Sequence, residues 1–155
     1  MKAEEACAAL GPETVEKLIR TAAQMRSRSY VPYSRFAVGA ALLTEDGTVY
    51  GGCNIANAAY TPTNCAERTA FFTAVAAGER HFRAIAIAGG PQGAEKLDFC
   101  PPCGVCRQVM MEFCDPESFL IITARSTEEY RVHTLREYLP DGFGPADLAQ
   151  HAAWV

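Results

Sequence analysis

The residues of this chain that could do chemistry concentrate in two short runs, Cys65-Ala66-Glu67 and Pro102-Cys103-Gly104-Val105-Cys106. Cys103 and Cys106 stand two residues apart, the spacing at which two sulfurs grip one zinc ion, and Cys65 offers a third sulfur. Three thiolates leave one tetrahedral position open, and an open position on zinc is where water or substrate is polarised. Glu67 is then not needed as a ligand and can carry protons beside the metal.

An all-thiolate site carries excess negative charge, which weakens the metal as a Lewis acid unless donors face the sulfurs. The amino ends of two helices and the guanidinium of Arg68, one turn along from Cys65, can supply those donors, with Arg107 a second candidate. Positions 65 and 67 diverge in a regular helix and converge only if Cys65 is the capping residue, with its backbone outside the helical region.

Plainer readings stand beside this one. Cys-x-x-Cys also serves structural zinc sites, where Cys53, Cys100 or Cys114 would supply a fourth thiolate. It serves redox centres too, but Pro102-Cys103 lacks the strand-then-helix entry that those need. Cys53 reads as core, Cys114 as the end of a helix and Cys7 as part of a mobile terminus, while Cys100 has no clear place. His81, His133 and His151 show no mutual spacing and read as surface residues.

The elements that must position these residues follow from periodicity. Pro12 to Arg28 repeats its apolar residues at three and four, as an amphipathic helix does, with Pro12 suited to the first turn. Ala37 to Thr44 and Thr48 to Cys53 flank Asp46-Gly47, a hairpin signal. Cys65 to Ala77 is Ala-rich and stops at Gly78, and Gly104 to Phe113 has helix composition. Arg83 to Ala88 and Phe119 to Thr123 read as buried strands, and Glu129 to His133 as a further strand. Gly89 to Pro102 reads as a loop, and Leu135 to Tyr138 and Pro145 to Gln150 as short helices. The order predicts an α/β fold, one mixed sheet with helices on both faces.

With 155 residues the chain is read as a single domain, 1–155, with 1–10 and 151–155 as mobile tails. Fourteen basic against 18 acidic residues give a net charge of −4 and no basic stripe, which speaks against a nucleic-acid partner and for a small neutral substrate. Seven cysteines, an odd number with three in metal spacing, fit a reducing cytoplasm better than a disulfide framework. No stretch approaches the roughly 18 apolar residues of a membrane span, so no membrane association is expected.

Beyond the two runs, the sequence resembles the cytidine deaminases of free-nucleoside salvage, particularly their small homotetrameric class. The likeness runs through Tyr33-Ser34-x-Phe36-x-Val38-Gly39-Ala40-Ala41-Leu42, Gly52-Cys53-Asn54-Ile55 and Asn64-Cys65-Ala66-Glu67-Arg68-Thr69-Ala70. It continues in Phe82 to Ala88, Pro102-Cys103-Gly104-x-Cys106-Arg107-Gln108-Val109 and Leu139-Pro140-x-x-Phe143. The resemblance implies a three-layer α/β/α fold with a five-stranded mixed sheet, one zinc per subunit and no other cofactor. The implied reaction is hydrolytic deamination of cytidine and 2′-deoxycytidine to uridine and 2′-deoxyuridine with release of ammonia. It also implies a homotetramer whose active sites are shared between subunits.

By the same resemblance, Cys65, Cys103 and Cys106 bind zinc, Glu67 is the catalytic acid and base, and Arg68 hydrogen-bonds the cysteine ligands. Phe36 lines the base pocket, Asn54 holds the ribose 3′-hydroxyl and the Ala66 backbone reads the pyrimidine. Tyr60 and Phe143 contribute at subunit boundaries. One departure falls at the sugar end: the family usually shows Asn-x-Glu where this chain has Asn54-Ile55-Ala56. Losing a hydrogen bond to a charged acceptor costs about 1.5–3 kcal/mol, so ribose affinity falls roughly ten- to hundredfold, unless the pocket has opened for a different sugar or substituent. Deaminases of aminopyrimidine nucleoside antibiotics such as blasticidin S also lack that Glu, which keeps a modified nucleoside in view. A non-catalytic, zinc-stabilised binding module is the rival from another class.

Overall fold

The computed structural model describes residues 2–148. Strand β1 (Phe36–Thr44) turns into β2 (Val49–Cys53) through a hairpin, with Gly39 facing Cys53 and Leu43 facing Val49. Gly47 takes the left-handed φ of 95° that this turn requires, and the Thr44 hydroxyl bonds the Asp46 carboxylate across it. On its other side β1 pairs antiparallel with β3 (Phe82–Pro91). β3 then pairs parallel with β4 (Leu120–Ala124), and β4 antiparallel with β5 (Tyr130–Thr134). The spatial order is β2-β1-β3-β4-β5, a five-stranded mixed sheet of the kind expected. A parallel pair needs a crossover, and α4 (Gly104–Phe113) supplies it between β3 and β4.

Alternation along β1 assigns the layers. Val38, Ala40 and Leu42 pack with Ala70, Phe71 and Ala74 of α3 (Ala66–Ala76) and with Met110 of α4. Ala41 and Leu43 face the other way, onto Val15, Leu18, Ile19 and Ala22 of α2 (Pro12–Met25). Phe71 is the hub of the first layer, with the rings of Phe82, Phe119 and Phe113 at 5.1, 6.0 and 6.2 Å. Two short helices, α5 (Leu135–Tyr138) and α6 (Pro145–Leu148), follow the sheet. No helix among the described residues is long and apolar enough to cross a membrane.

Several expectations need correction. Ala3–Leu10, placed in a mobile tail, forms helix α1, and its Cys7 is buried against the second layer of core. The expected tail 151–155, with His151, lies outside the described residues. α2 ends at Met25, and Arg26–Arg28 form a 3-10 turn whose Arg26 guanidinium bonds the carbonyls of Ala37, Gly90, Pro91 and Ala94. β3 continues through Gly89-Gly90-Pro91, which the sequence reading assigned to a loop. The strand packs tightly there: a Cβ on Gly89 would lie 3.0 Å from Cys100 Cβ and Sγ and 3.2 Å from the Phe36 ring. His133 is half-buried, its ring 4.6 Å from that of Tyr138.

Candidate metal centre and active site

The two chemical runs open two helices that share one face of the sheet. Cys65 is the N-cap of α3 with extended φ/ψ of −74°/158°, and Cys103 is the N-cap of α4 at −68°/167°. Neither sulfur caps its helix, so both remain available to a ligand. The capping geometry required by the 65/67 spacing is therefore present. Its neighbours fix it: the Thr69 hydroxyl donates to the Cys65 carbonyl at 3.1 Å, and Asn64 Nδ2 donates to the same hydroxyl at 3.1 Å. Cys106, in the first turn of α4, is buried.

The Sγ atoms of Cys65 and Cys103 lie 3.7 Å apart and those of Cys103 and Cys106 3.5 Å, with all three within 4.8 Å of one another. A tetrahedral zinc with Zn–S bonds of about 2.3 Å separates its sulfurs by about 3.8 Å, so this donor set fits one zinc ion with a fourth position open. Cys100 is not in the cluster, and neither are Cys53 and Cys114, which are buried in the core. The fourth thiolate of a structural site is thus missing among the described residues. Burial pushes the Cys100 thiol up to about 12, with the charges of Glu67 and Cys65 adding, so it keeps its proton.

Arg68 donates from Nη2 to Cys65 Sγ at 3.2 Å, and its buried Nε has no partner among the described residues. Although burial opposes its charge, the sulfurs of Cys65 and Cys106 hold the guanidinium firmly protonated. The hydrogen bond shared with Cys106 lowers the Cys65 thiol to about 5 against burial, with Arg68 and Cys103 helping. Cys106 moves the opposite way, through the same shared bond and its burial. Arg107, the second candidate for compensating the sulfurs, does other work: its Nε and Nη1 donate to the carbonyls of Pro102 and Tyr138 at 2.8 and 2.7 Å. It clamps the entry of the metal loop to α5.

Glu67, the second residue of α3, is only 5% exposed. Burial raises its carboxyl to about 7; the Cys65 charge adds to this, and its own backbone, Cys106 and Arg68 oppose it. A carboxyl poised near neutrality can both take and give a proton, the property a general acid and base needs.

Asn54, expected to hold the ribose, directly follows β2. Asn54 Nδ2 donates to the Phe36 carbonyl at 2.9 Å, and Val38 N–H donates to Asn54 Oδ1 at 2.9 Å. This fixes the amide while leaving one N–H and one lone pair free. Phe36 is half-buried beside Gly89, and Ala66 is wholly buried. Gly52 brings β2 against this turn, since a Cβ there would lie 2.3 Å from the Ala66 carbonyl oxygen. Tyr60 and Phe143, by contrast, are 75% and 57% exposed, and Gln108 Nε2 holds the Phe143 carbonyl at 2.9 Å. Sequence reasoning missed the Arg26 clamp and the Asn64–Thr69 pair, whose partners are set by the fold and not by any local pattern.

Comparison with known proteins agrees with this centre. The family model described as cytidine and deoxycytidylate deaminase zinc-binding region matches residues 12–122. A cytidine deaminase of Sporosarcina psychrophila is 48% identical over 138 residues, covering 89% of this chain and 97% of its own. The crystal structure of a cytidine deaminase from Burkholderia pseudomallei aligns with a TM-score of 0.73 at 46% identity, over 82% of this chain and 97% of that one. That of the Mycobacterium tuberculosis enzyme gives 0.70 at 39% identity, over 83% and 95%. Three sulfurs at zinc spacing, a buried carboxyl beside them and this breadth of likeness agree: the chain belongs to the cytidine and deoxycytidylate deaminase family.

Proposed function

We propose that this chain hydrolytically deaminates cytidine and 2′-deoxycytidine, giving uridine and 2′-deoxyuridine and releasing ammonia, as one catalytic domain of pyrimidine salvage. The observation that carries this reading is the buried Glu67 carboxyl beside three sulfurs spaced for one zinc. When bound by Cys65, Cys103 and Cys106, zinc supplies Lewis-acid activation at its open position.

The chain's own groups do the rest. Glu67 takes one proton from the water that adds at C4 of the ring and passes it to ring N3, then takes the proton of the new C4 hydroxyl and gives it to the departing amine, so that C4 becomes a carbonyl, ammonia leaves and the carboxylate is restored. One carboxyl serves as base and then as acid, which its environment suits. Arg68 holds Cys65 by its sulfur and keeps the charge of the ligand set in check. Phe36 walls the base, the backbone at Ala66 reads its edge, and the free N–H and lone pair of Asn54 meet the ribose 3′-hydroxyl. Ala56 stands where a carboxylate would otherwise share that hydroxyl.

The exposed rings of Tyr60 and Phe143 support a homotetramer in which neighbours complete each site, and unpaired cysteines support a cytoplasmic setting. The test is a substrate panel on zinc-loaded protein, cytidine, 2′-deoxycytidine and cytosine, followed by loss of ultraviolet absorbance, with native mass for assembly. Turnover of the nucleosides but not of the free base is expected. Equal rates on cytosine and cytidine would refute a nucleoside site.

A further inference from the structure

The wall expected to face the base is held from behind. Phe36 shares a strand face with Val38 and Ala40, toward α3, while Gly39 faces α2: a Cβ there would lie 1.8 Å from the Ala22 carbonyl oxygen and 3.0 Å from Arg26 N. Arg26, the residue after α2, therefore reaches the strand ends from the face opposite the sulfurs. Its Nε donates to the Ala37 carbonyl at 3.0 Å, Nη2 to those of Gly90 and Pro91 at 3.2 and 3.0 Å, and Nη1 to that of Ala94 at 3.3 Å. No carboxylate among the described residues pairs with this cation, so its work is to hold backbone geometry.

Those carbonyls lie where the sheet has least of its own to hold it. β1 and β3 end with Phe36 opposite Pro91 and Ala37 opposite Gly90. Pro91 has no N–H for the ladder, and Gly90 has no side chain to pack. The Phe36 carbonyl goes to Asn54 Nδ2 and its N–H to Ser34 Oγ at 3.2 Å, so neither ties it to β3. The turn beyond β3 closes on the same place: Gln92 N–H donates to the Arg35 carbonyl at 2.7 Å, and Arg35 takes a left-handed φ of 55° just before Phe36. Arg26 grips both strands and this turn at once, while Asn54 bonds the residues on either side of Ala37. Ring and amide thus share one support.

We propose that Arg26 is a positioning residue for the nucleoside: its grip on the carbonyls of Ala37, Gly90 and Pro91 sets the Phe36 ring and the Asn54 amide against base and sugar, without touching substrate or metal. The proposal rests on the deaminase reading above. Contacts to the flat of the base and to the sugar are remote from C4 and act alike before and during reaction, so their loss raises KM and spares kcat. A lysine presents its N–H donors from a single atom and cannot span two strands and a turn, so charge alone does not replace the guanidinium.

The test measures kcat and KM for cytidine and, by calorimetry, Kd for uridine on the zinc-loaded full chain, with zinc retention under chelator competition on the same samples. Arg26→Lys and Arg26→Gln should each raise KM and the uridine Kd together by at least about tenfold, with kcat within about fivefold and zinc retention unchanged. Ile19→Val loosens the same second layer away from the strand ends; as the control for general destabilisation it should leave KM within about twofold. A smaller rise in either Arg26 variant, a loss confined to kcat, a matching loss of zinc, or an equal rise in Ile19→Val overturns the proposal. If Arg26→Gln does not fold, Arg26→Lys decides alone, and if that variant does not fold either, Arg26 is a structural residue only and the proposal falls. An unaltered chain that neither binds uridine nor turns cytidine over refutes the deaminase reading and this inference with it.

Discussion

Replacing Gly52 by alanine is expected to cost the chain its metal before it costs the fold. The new Cβ would sit 2.3 Å from the Ala66 carbonyl oxygen, 2.5 Å from Ala70 N and 2.9 Å from Ala70 Cβ, all on the first turns of α3. Two of those atoms are backbone and cannot swing aside. Real Cβ contacts essentially never fall below 3.0 Å, so α3 must retreat by at least roughly 0.7 Å, at an overpacking cost of about 1–3 kcal/mol. α3 carries Cys65 and Glu67, whereas Cys103 and Cys106 stay with α4. A shift of that size moves Cys65 relative to Cys103, whose sulfurs lie 3.7 Å apart, close to the roughly 3.8 Å edge of a tetrahedral zinc. Displacing a catalytic group by about 1 Å is worth about a hundredfold in rate. The assay is zinc content under chelator competition, with kcat and urea unfolding on the same samples. Gly51→Ala is the control, because its Cβ would meet only the flexible Met25 side chain, at 2.7–3.3 Å, and should leave zinc and rate intact. Gly52→Ala with unchanged zinc retention and unchanged kcat would refute this reasoning.

Arg68→Gln removes the charged donor 3.2 Å from Cys65 Sγ and should weaken zinc retention about 10–100-fold in chelator competition; unchanged retention would show that helix amides alone balance the sulfurs. Asn54→Ala strips partners from the Val38 N–H and the Phe36 carbonyl, so it should lose about 1–3 kcal/mol in urea unfolding as well as raise KM; a KM effect with no stability loss would contradict the observed bonds. The wholly buried Cys114 has its thiol raised well above 9.0 by burial, with the Asp115 charge adding, so its share of stability is present below about pH 9 and lost as pH rises beyond it. Between about pH 9 and 10.5 the unaltered chain should therefore lose up to about 1.4 kcal/mol per pH unit more than Cys114→Ala, and parallel stability curves would exclude that role.

Much of the centre was legible because its chemistry dictates local geometry. A Cys and a Glu two apart can share a cavity only when the Cys caps a helix, and Cys65 does so. The Asp46-Gly47 hairpin and the helix over Gly104–Phe113 follow from similarly local rules. What escaped depends on contacts remote in sequence. Gly89-Gly90-Pro91 looks like a loop until Phe36 and Cys100 close on Gly89, and α1 looks like a tail until Cys7 meets the core. Arg68 is the first candidate by position and Arg107 the second, and only the first turns to the sulfurs, because the carbonyls of Pro102 and Tyr138 claim the other. The roles of Phe36, Asn54, Tyr60 and Phe143 came from resemblance, since nothing in their spacing marks a nucleoside.

The most direct test of the account is ammonia release from cytidine by the zinc-loaded chain and by its Glu67→Gln variant, with zinc content measured on both. The account predicts one zinc per chain in each, turnover by the unaltered chain, and a kcat at least about 10²–10⁴-fold lower in the variant, because the same carboxyl moves every proton. A variant that keeps its zinc and turns cytidine over within about tenfold of the unaltered chain would contradict that role for Glu67. Zinc-loaded protein that releases no ammonia in either form would contradict the catalytic reading itself.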